Sequence, residues 1–410
     1  MPDAASPRLA QRLAGVPLSA TLAMSAKARE LAADIAQNGG SEIISLALGE
    51  PDFPTPDHAI EAAHQAALRG ETKYPPLGGT AALRGAIQRA IQRDHGLDYP
   101  LDQITVANGG KQIIFNAFLA TIDPLDEVVI PAPYWVAYPL VAKLLGGVPV
   151  FVDCPEETGF KPDAAALAAV LGPRSKWLVL NYPNNPSGAA CSADELRAIA
   201  EVIRAHPQIW VLSDDIYEHL IFDGEPHATL AQVAPDLADR VLIVSGVSKS
   251  YAMTGWRVGY AAGPASLIKA MINMQGQATS GVSGIAQAAA AAALDGPQDL
   301  LARRAEVYRA RRDLVVDLLN AIPGWRCHRP EGAFYVFPSV AGLLGKTTAG
   351  GVLLRTDEDV SLALLSEAHV AVVQGSAFGK SPYIRISTAT SDARLIEACQ
   401  RIAVFCRSLR

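Results

Sequence analysis

Short apolar runs alternate along much of the chain with longer amphipathic stretches, such as Ser192–Ala205, in which apolar residues recur at helical spacing. The short runs are rich in Val, Ile and Leu, which is typical of buried strands. They are Glu127–Ile130, Pro149–Val152, Trp177–Asn181, Ile209–Ser213, Val241–Ser245 and Val258–Ala262. This alternation predicts an α/β fold in which helices cover both faces of a mostly parallel sheet.

A second, smaller α/β unit is predicted to follow, because 410 residues exceed what one hydrophobic core usually supports. From Pro297, helical spacing continues to Asn320. Strand-like runs at Gly332–Phe337 and Tyr383–Ser387 enclose a helical pattern around Val360–His369, and a final helix follows. The predicted limits are 1–25 for an N-terminal arm, 49–296 for a large domain, and 26–48 with 297–410 for a small domain.

The composition is that of a well-buried globular protein. Half of the residues are apolar and 19% are charged, and the formal net charge of −6 argues against a nucleic-acid surface, which usually carries a basic excess. Five cysteines are present without a Cys-x-x-Cys pair. Their spacing argues against a disulfide framework or a metal site, and it favours a reducing compartment, so we expect a cytoplasmic protein.

No membrane-spanning segment is expected. The alanine-rich stretch Ala286–Leu294 is short and interrupted by Gln287, so a core or interface helix explains it better than a membrane span. Near the N-terminus, Arg8 and Arg12 are not followed by an apolar stretch. This pattern indicates an extended arm rather than a secretory signal.

Polar residues that directly follow the predicted strands are candidates for a binding site, because ligands of such sheets lie beyond the carboxyl ends of the strands. Asp214 and Tyr217 follow one strand. A carboxylate there can pair with a pyridine nitrogen, or it can simply cap a turn. Asn185 lies in the rigid turn Asn181–Gly188, which contains two prolines and can hold the Asn185 amide for two partners. Trp135 offers an indole on which a planar ring can stack, although it can equally belong to the core.

Basic residues occur in three further segments. The glycine pair of Gly109–Gln112 precedes an amphipathic helix and suits a phosphate or merely a tight turn. In Ser245–Arg257, Lys249 sits between small hydroxyl residues that leave room for a Schiff base, and Arg257 can hold a phosphate in its planar fork. Read alone, Lys249 could be a surface lysine. Arg385 lies within an alternating strand, where it needs a substrate carboxylate or a structural salt bridge as its partner.

In their order and local context, these segments resemble the class I/II aminotransferases that use pyridoxal 5′-phosphate (PLP). Gly49–Phe53 and Thr72–Tyr74 match the same family. The resemblance covers essentially the whole chain and is closest to the bacterial aspartate aminotransferases that carry Gly-Gly-Lys-Gln. It implies a fold-type I α/β enzyme with a mostly parallel seven-stranded sheet, working as a homodimer whose active sites are shared between subunits.

The resemblance also implies a role for each candidate residue. The catalytic residues would be Lys249, which bonds to PLP and moves the substrate proton, together with Asp214 and Tyr217. The cofactor would be held by Gly110, Lys111, Trp135, Asn185, Asp214, Tyr217, Ser248, Lys249 and Arg257, with Tyr74 from the neighbouring subunit. The substrate would be bound by Gly49, Trp135, Asn185, Arg385, Lys111 and Thr21.

Two positions depart from the pattern of the family. Gly246 stands where many relatives carry the first serine of Ser-x-Ser-Lys, so one hydroxyl contact with the phosphate is in question. Gln374 replaces the proline that is common before Gly375–Ser376, a change that we expect to be tolerated.

The activity implied is transamination between an L-amino acid, aspartate or glutamate, and a 2-oxo acid, 2-oxoglutarate or oxaloacetate. Lys111 and Thr21 would then surround the distal carboxylate, unless Lys111 contacts only phosphate or solvent. Aromatic or prephenate aminotransferases and PLP-dependent C–S or β-lyases remain alternatives. The stretch Val16–Thr21 lacks the basic residue of prephenate-using relatives. A PLP-binding regulator is disfavoured because the short arm leaves no space for a DNA-binding domain.

Overall fold

A computed structural model describes residues 9–15, 20–39, 41–223 and 226–410. Its strands are β1 (Ile44–Ser45), β2 (Ile104–Ala107), β3 (Glu127–Ala132), β4 (Val148–Asp153), β5 (Ser175–Leu180), β6 (Trp210–Asp214), β7 (Val241–Gly246), β8 (Gly259–Ala262), β9 (Tyr335–Val336), β10 (Val370–Ala371), β11 (Val373–Gln374) and β12 (Ile384–Ser387).

The α-helices alternate with these strands. They are α1 (Ala20–Asn38), α2 (Asp57–Leu68), α3 (Ala81–His95), α4 (Gly110–Thr121), α5 (Ala137–Leu144), α6 (Ala164–Val170), α7 (Ala193–Arg204), α8 (Leu230–Val233), α9 (Ala265–Ala278), α10 (Gly284–Asp295), α11 (Asp299–Asn320), α12 (Asp357–Ala368) and α13 (Asp392–Ser408). Short 3₁₀ helices lie at Gln11–Gly15, Leu101–Gln103, Glu156–Thr158, Pro235–Arg240, Thr254–Trp256, Ala341–Leu343 and Gly375–Phe378.

A seven-stranded sheet in the order β2-β8-β7-β6-β5-β3-β4 forms the centre of the larger unit. Its strands run parallel except β8, which is antiparallel to both β2 and β7. The six predicted strands correspond to β3–β8, and the predicted α/β class with a mostly parallel sheet is confirmed. The sequence pattern missed β2, a four-residue strand in which Thr105 interrupts the apolar residues.

Neighbouring residues of a strand point to opposite faces of the sheet. Because both faces of this sheet are apolar, helices cover both of them. In β6, Val211 belongs to the hydrophobic cluster of α2, α3 and α10, whereas Leu212 belongs to the cluster of α4, α5 and α9. The amphipathic stretch at 192–205 is α7, which begins with a capping box between Ser192 and Glu195.

The alanine-rich stretch, interpreted from the sequence as a core or interface helix, forms a helix of the core. It forms α10, whose small residues, among them Ala289, Ala290 and Ala293, are fully buried and let the helix pack closely against α2 and α3. In the described part of the chain, no helix is both long and apolar enough to cross a bilayer.

The smaller unit has its own hydrophobic cluster, formed by α11, α12, α13 and the strands between them. Strands β11, β12 and β9 make an antiparallel sheet, and β1 pairs with β10 in parallel. The predicted run Gly332–Phe337 is longer than the strand observed there, because only the two residues of β9 join the sheet. The pairing of β1 with β10 agrees with a small domain that includes the segment before Gly49, but the limits of the three domains stay a prediction.

The described cysteines form no disulfide, and the described side chains form no metal-binding cluster. The cysteines Cys154, Cys191, Cys327, Cys399 and Cys406 are all free thiols. Among the residues that the structure describes, no cluster of three or more His, Cys, Asp or Glu side chains is placed to hold a metal ion.

Gly259 allows β8 to lie directly beneath the turn at Gly109–Gly110. A Cβ atom at Gly259 would lie 2.3 Å from the Gly110 nitrogen and 2.4 Å from the Gly109 carbonyl carbon. Gly259→Ala is therefore expected to lower the free energy of unfolding by about 1–3 kcal/mol, as overpacking usually does. Gly172→Ala, where a Cβ meets nothing within 4 Å, is the matched control. Equal urea denaturation midpoints for the two variants would show that the close approach is unimportant.

Candidate active site

A cavity of about 460 Å³ opens at the carboxyl ends of β5, β6 and β7. Its walls include nearly all residues that the sequence singled out. These are Thr21, Gly49, Gly110, Lys111, Trp135, Asn185, Asp214, Tyr217, Ser248, Lys249, Arg257 and Arg385. Residues separated by hundreds of positions in the chain thus meet where the ends of parallel strands were expected to place a ligand.

Tyr74 is the exception among the predicted residues. It does not line the cavity, and its side chain is 94% exposed. The residues 16–19 that bear on prephenate lie outside the described part of the chain.

Lys249 reaches into the cavity from the turn that follows β7. Left-handed backbone at Ala252 and Arg257 folds this turn tightly, and the Met253 amide donates to the Ser248 carbonyl over 3.2 Å. The Lys249 Nζ donates to the Gly49 carbonyl over 2.5 Å. Burial lowers the pKa of Lys249 to about 8, and the opposing attraction of Glu50 only partly offsets this effect. About a tenth of the amine is therefore neutral and nucleophilic at pH 7, far more than for a lysine of ordinary pKa.

Asp214 ends β6 and is almost completely buried. Its Oδ2 accepts a 2.6 Å hydrogen bond from the Tyr138 hydroxyl, and its Oδ1 accepts a long bond of 3.4 Å from the Ile216 amide. Burial raises the pKa of Asp214 to about 7, although the bond from Tyr138 acts in the opposite direction. Among the described residues, no side-chain cation forms an ion pair with this carboxylate, which suits it to receive a proton-bearing ring nitrogen from a ligand.

Arg385 is also buried without an acidic partner in the described structure. Its Nη1 donates to the Asn185 Oδ1 over 3.0 Å and its Nη2 to the Ala47 carbonyl, while its Nε has no partner. Burial lowers the pKa of Arg385 from its usual value. The structural salt bridge that the sequence left open is therefore not formed, and the guanidinium is suited to bind a carboxylate ligand.

A corner of the cavity gathers groups that suit an anion. Gly109 has a φ of 88° and precedes α4, and a Cβ there would lie 2.5 Å from the Arg257 Nη2. The glycine thus lets the guanidinium lie against the start of the helix. The Lys111 Nζ lies 5.0 Å from the Trp135 ring centroid, and burial together with repulsion from Arg257 lowers the pKa of Lys111. Two cations and a helix N-terminus at one place favour a phosphate.

Gly246, the departure from the expected serine, has a packing reason. It pairs with Gly259 in the β7–β8 ladder. A Cβ at Gly246 would lie 2.9 Å from the Val258 carbonyl oxygen and 3.1 Å from the Gly259 Cα. A serine would force these two strands to move. Gln374, the second departure, lies in β11 opposite Ile384.

Sequence reasoning missed two tyrosines that support the site. Tyr138 lies in the first turn of α5, three residues after Trp135, and holds Asp214. Tyr335 lies in β9, and its hydroxyl is 2.9 Å from the hydroxyl of Tyr217. A helical offset from Trp135 could have suggested Tyr138. Nothing local to β9 indicates that Tyr335 faces the cavity.

Comparisons with known proteins agree with this geometry. The sequence profile described as aminotransferase class I and II matches residues 41–402. The chain belongs to this family. The predicted family is thus confirmed, and the protein is an aminotransferase.

Several relatives of this aminotransferase match along nearly their full length. The aspartate/prephenate aminotransferase of Cereibacter sphaeroides is 52% identical over 98% of this chain and 99% of its own. The crystal structure of the aspartate aminotransferase from Rhizobium meliloti matches with a TM-score of 0.94 and 51% identity, covering 99% of this chain and 100% of that one. The aspartate aminotransferase from Thermus thermophilus with maleate matches with a TM-score of 0.89 and 39% identity, covering 98% and 100%. These matches confirm the predicted fold type.

The lowered pKa of Lys249 predicts how its labelling depends on pH. With the enzyme purified free of bound aldehydes, reductive methylation with formaldehyde should follow the neutral amine, because only this form is nucleophilic. Labelling of Lys249, measured by peptide mass spectrometry, is expected to reach half its plateau near pH 8. An unburied lysine peptide should do so near about pH 10.4. Coincident profiles would contradict the effect of burial.

Proposed function

We propose that this aminotransferase uses PLP to transfer an amino group between aspartate or glutamate and a 2-oxo acid such as 2-oxoglutarate or oxaloacetate. The observation that carries the proposal is the set of unmatched charges in one cavity. Three groups face the same space: the Lys249 amine with its lowered pKa, the buried Asp214 carboxylate and the buried Arg385 guanidinium. Within the described residues, the carboxylate has no cation as its ion-pair partner and the guanidinium has no acidic one. Each lacks the partner that PLP or an amino acid would supply.

The residues present fit PLP. Lys249 would bond to the aldehyde, and Asp214 would hold the proton of the pyridine nitrogen. Trp135 would stack on the ring, with Tyr217 and Asn185 at the 3′-oxygen. The phosphate would lie at Gly110, Lys111, Ser248 and Arg257, where the helix N-terminus and the cations of the corner converge. When bound, PLP serves as an electron sink for the charge that develops at the substrate Cα.

Side chains of the protein would bind the substrate and move its proton. Arg385 and Asn185 would fix the substrate α-carboxylate, assisted by the backbone of Gly49, so that the Cα–H bond faces Lys249. The Lys249 amine, released from the aldehyde when the substrate amine takes its place, would accept the proton from the substrate Cα. A base with a pKa of about 8 is suited to this transfer near neutral pH.

The preference for a dicarboxylate rests on Lys111 and Thr21, which line the same cavity. Maleate, named with the Thermus thermophilus relative, is a small dicarboxylate. Prephenate is a second candidate substrate, because the relative from Cereibacter sphaeroides is named for both substrates. A lyase on the same scaffold would differ in releasing ammonia or a thiol without requiring an oxo acid.

A homodimer with shared active sites is part of the proposal. Tyr74 is 94% exposed in the single chain, and the nearby Leu77 is also exposed. Packing of a second subunit against this surface would bury both side chains and bring Tyr74 to the partner's phosphate corner. The cytoplasmic location stays a prediction that is compatible with the free thiols.

A half-reaction screen tests the substrate assignment. The PLP-loaded enzyme is mixed with single amino acids, and the absorbance of the bound cofactor is followed. Aspartate and glutamate are expected to bleach it faster than aromatic or branched-chain amino acids, because only they place a second carboxylate near Lys111. Lys249→Ala should lose this reaction, since a general base alone contributes roughly 10²–10⁴-fold. Faster bleaching by aromatic amino acids would contradict the assignment.

Lys111→Met separates the two roles of this lysine. If Lys111 binds the distal carboxylate, the rate constant kcat/KM for aspartate should fall by about tenfold or more, while that for alanine should change little. An equal loss for both substrates would assign Lys111 to the phosphate instead. Lys143→Met, at an exposed position of α5, is the matched control.

A further inference from the structure

Tyr335 lies between Tyr217 and Arg385 in the site and contacts both. Its side chain is 1% exposed, and its hydroxyl lies 2.9 Å from the hydroxyl of Tyr217. Among the described residues, Tyr217 is the only hydrogen-bond partner found for this hydroxyl. The face of the Tyr335 ring lies 4.8 Å from the guanidinium carbon of Arg385. One side chain therefore contacts both the residue proposed for the cofactor oxygen and the residue proposed for the substrate carboxylate.

The backbone keeps the Tyr335 hydroxyl in this position. A Cβ atom at Gly49 would lie 2.4 Å from the Tyr335 hydroxyl oxygen, so only glycine leaves room for it there. The carbonyl of the same Gly49 accepts the hydrogen bond from Lys249. Burial raises the pKa of both Tyr217 and Tyr335, which means that both hydroxyls keep their protons near neutral pH.

The number of protons determines the direction of the bond. Each phenol has one proton to donate. This inference rests on the proposed function, in which Tyr217 would donate its proton to the 3′-oxygen of PLP. The bond between the two tyrosines would then have to run from Tyr335 to Tyr217. We propose that Tyr335 is a positioning residue that donates to Tyr217 and thereby directs and strengthens the hydrogen bond from Tyr217 to the cofactor.

The pKa of the chromophore that Lys249 forms with PLP reports on this bond. A hydrogen bond to the 3′-oxygen stabilises negative charge there and weakens the hold on the neighbouring proton. Tyr335→Phe keeps the ring next to Arg385 but removes the donor. The chromophore pKa, measured by absorbance titration of the PLP-loaded enzyme, is expected to rise by a few tenths of a pH unit, because one bond in a chain strengthens the next by roughly 10–30%. An unchanged or lowered pKa would overturn the proposal.

A double-mutant cycle distinguishes this relay from a general disturbance of the cavity. Tyr217→Phe should raise the chromophore pKa by more than Tyr335→Phe does, and adding Tyr335→Phe to it should cause no further rise. An equal rise in both backgrounds would mean that Tyr335 acts without Tyr217. Tyr308→Phe is the matched control, because Tyr308 is equally buried but donates to Asp52 over 3.2 Å. Its chromophore pKa should equal that of the wild type.

A second variant is expected to shift the chromophore pKa in the opposite direction. It tests the proposal even if Tyr335→Phe fails to fold. Incorporating 3-fluorotyrosine at position 335 retains the hydroxyl and makes it a stronger donor, so the chromophore pKa should fall. A rise or no change would contradict the relay. If the wild-type enzyme formed no chromophore with PLP, the proposed function itself would fail, an outcome that differs from a wild-type chromophore that the variants do not shift.

Discussion

Burial of charge without neutralising protein partners is the constraint on which the site depends. Asp214 and Arg385 are withdrawn from water, and Lys249 faces the same enclosed space, yet the described protein supplies no ion-pair partner to any of them. Such an arrangement lowers stability unless a ligand offsets it. Together with the family, it explains why the cavity suits a charged cofactor and a charged substrate.

Neighbouring strands of the sheet bring these groups together. Asp214 in β6 stands beside Val244 in β7, and the lysine turn begins as β7 ends. Glycine contacts tighten the same edge, because Gly246 and Gly259 allow β7, β8 and the Gly109 turn to approach closely. The chemistry therefore depends on packing between backbones as much as on the charged side chains.

Much of this could be predicted from the sequence, because the signals are local. The strands β3–β8 are apolar runs. Asp214 ends one of them, Asn185 and Lys249 lie a few residues after two others, and Arg385 lies within the strand-like run Tyr383–Ser387. The strand β2 was missed because it is only four residues long and Thr105 leaves it without a continuous apolar run.

Tyr138 and Tyr335 were missed for a different reason. Their roles arise from tertiary contacts with Asp214 and Tyr217, which lie far away in the chain. The role proposed for Tyr74 would depend on a second subunit, so contacts within one chain do not reveal it.

Reduction of the PLP-loaded enzyme with borohydride, followed by peptide mapping, tests the central claim most directly. The account predicts one phosphopyridoxyl group per chain, attached to Lys249, and none attached to this segment in Lys249→Ala. Attachment to a different lysine in the wild-type enzyme, or no stable attachment, would contradict it.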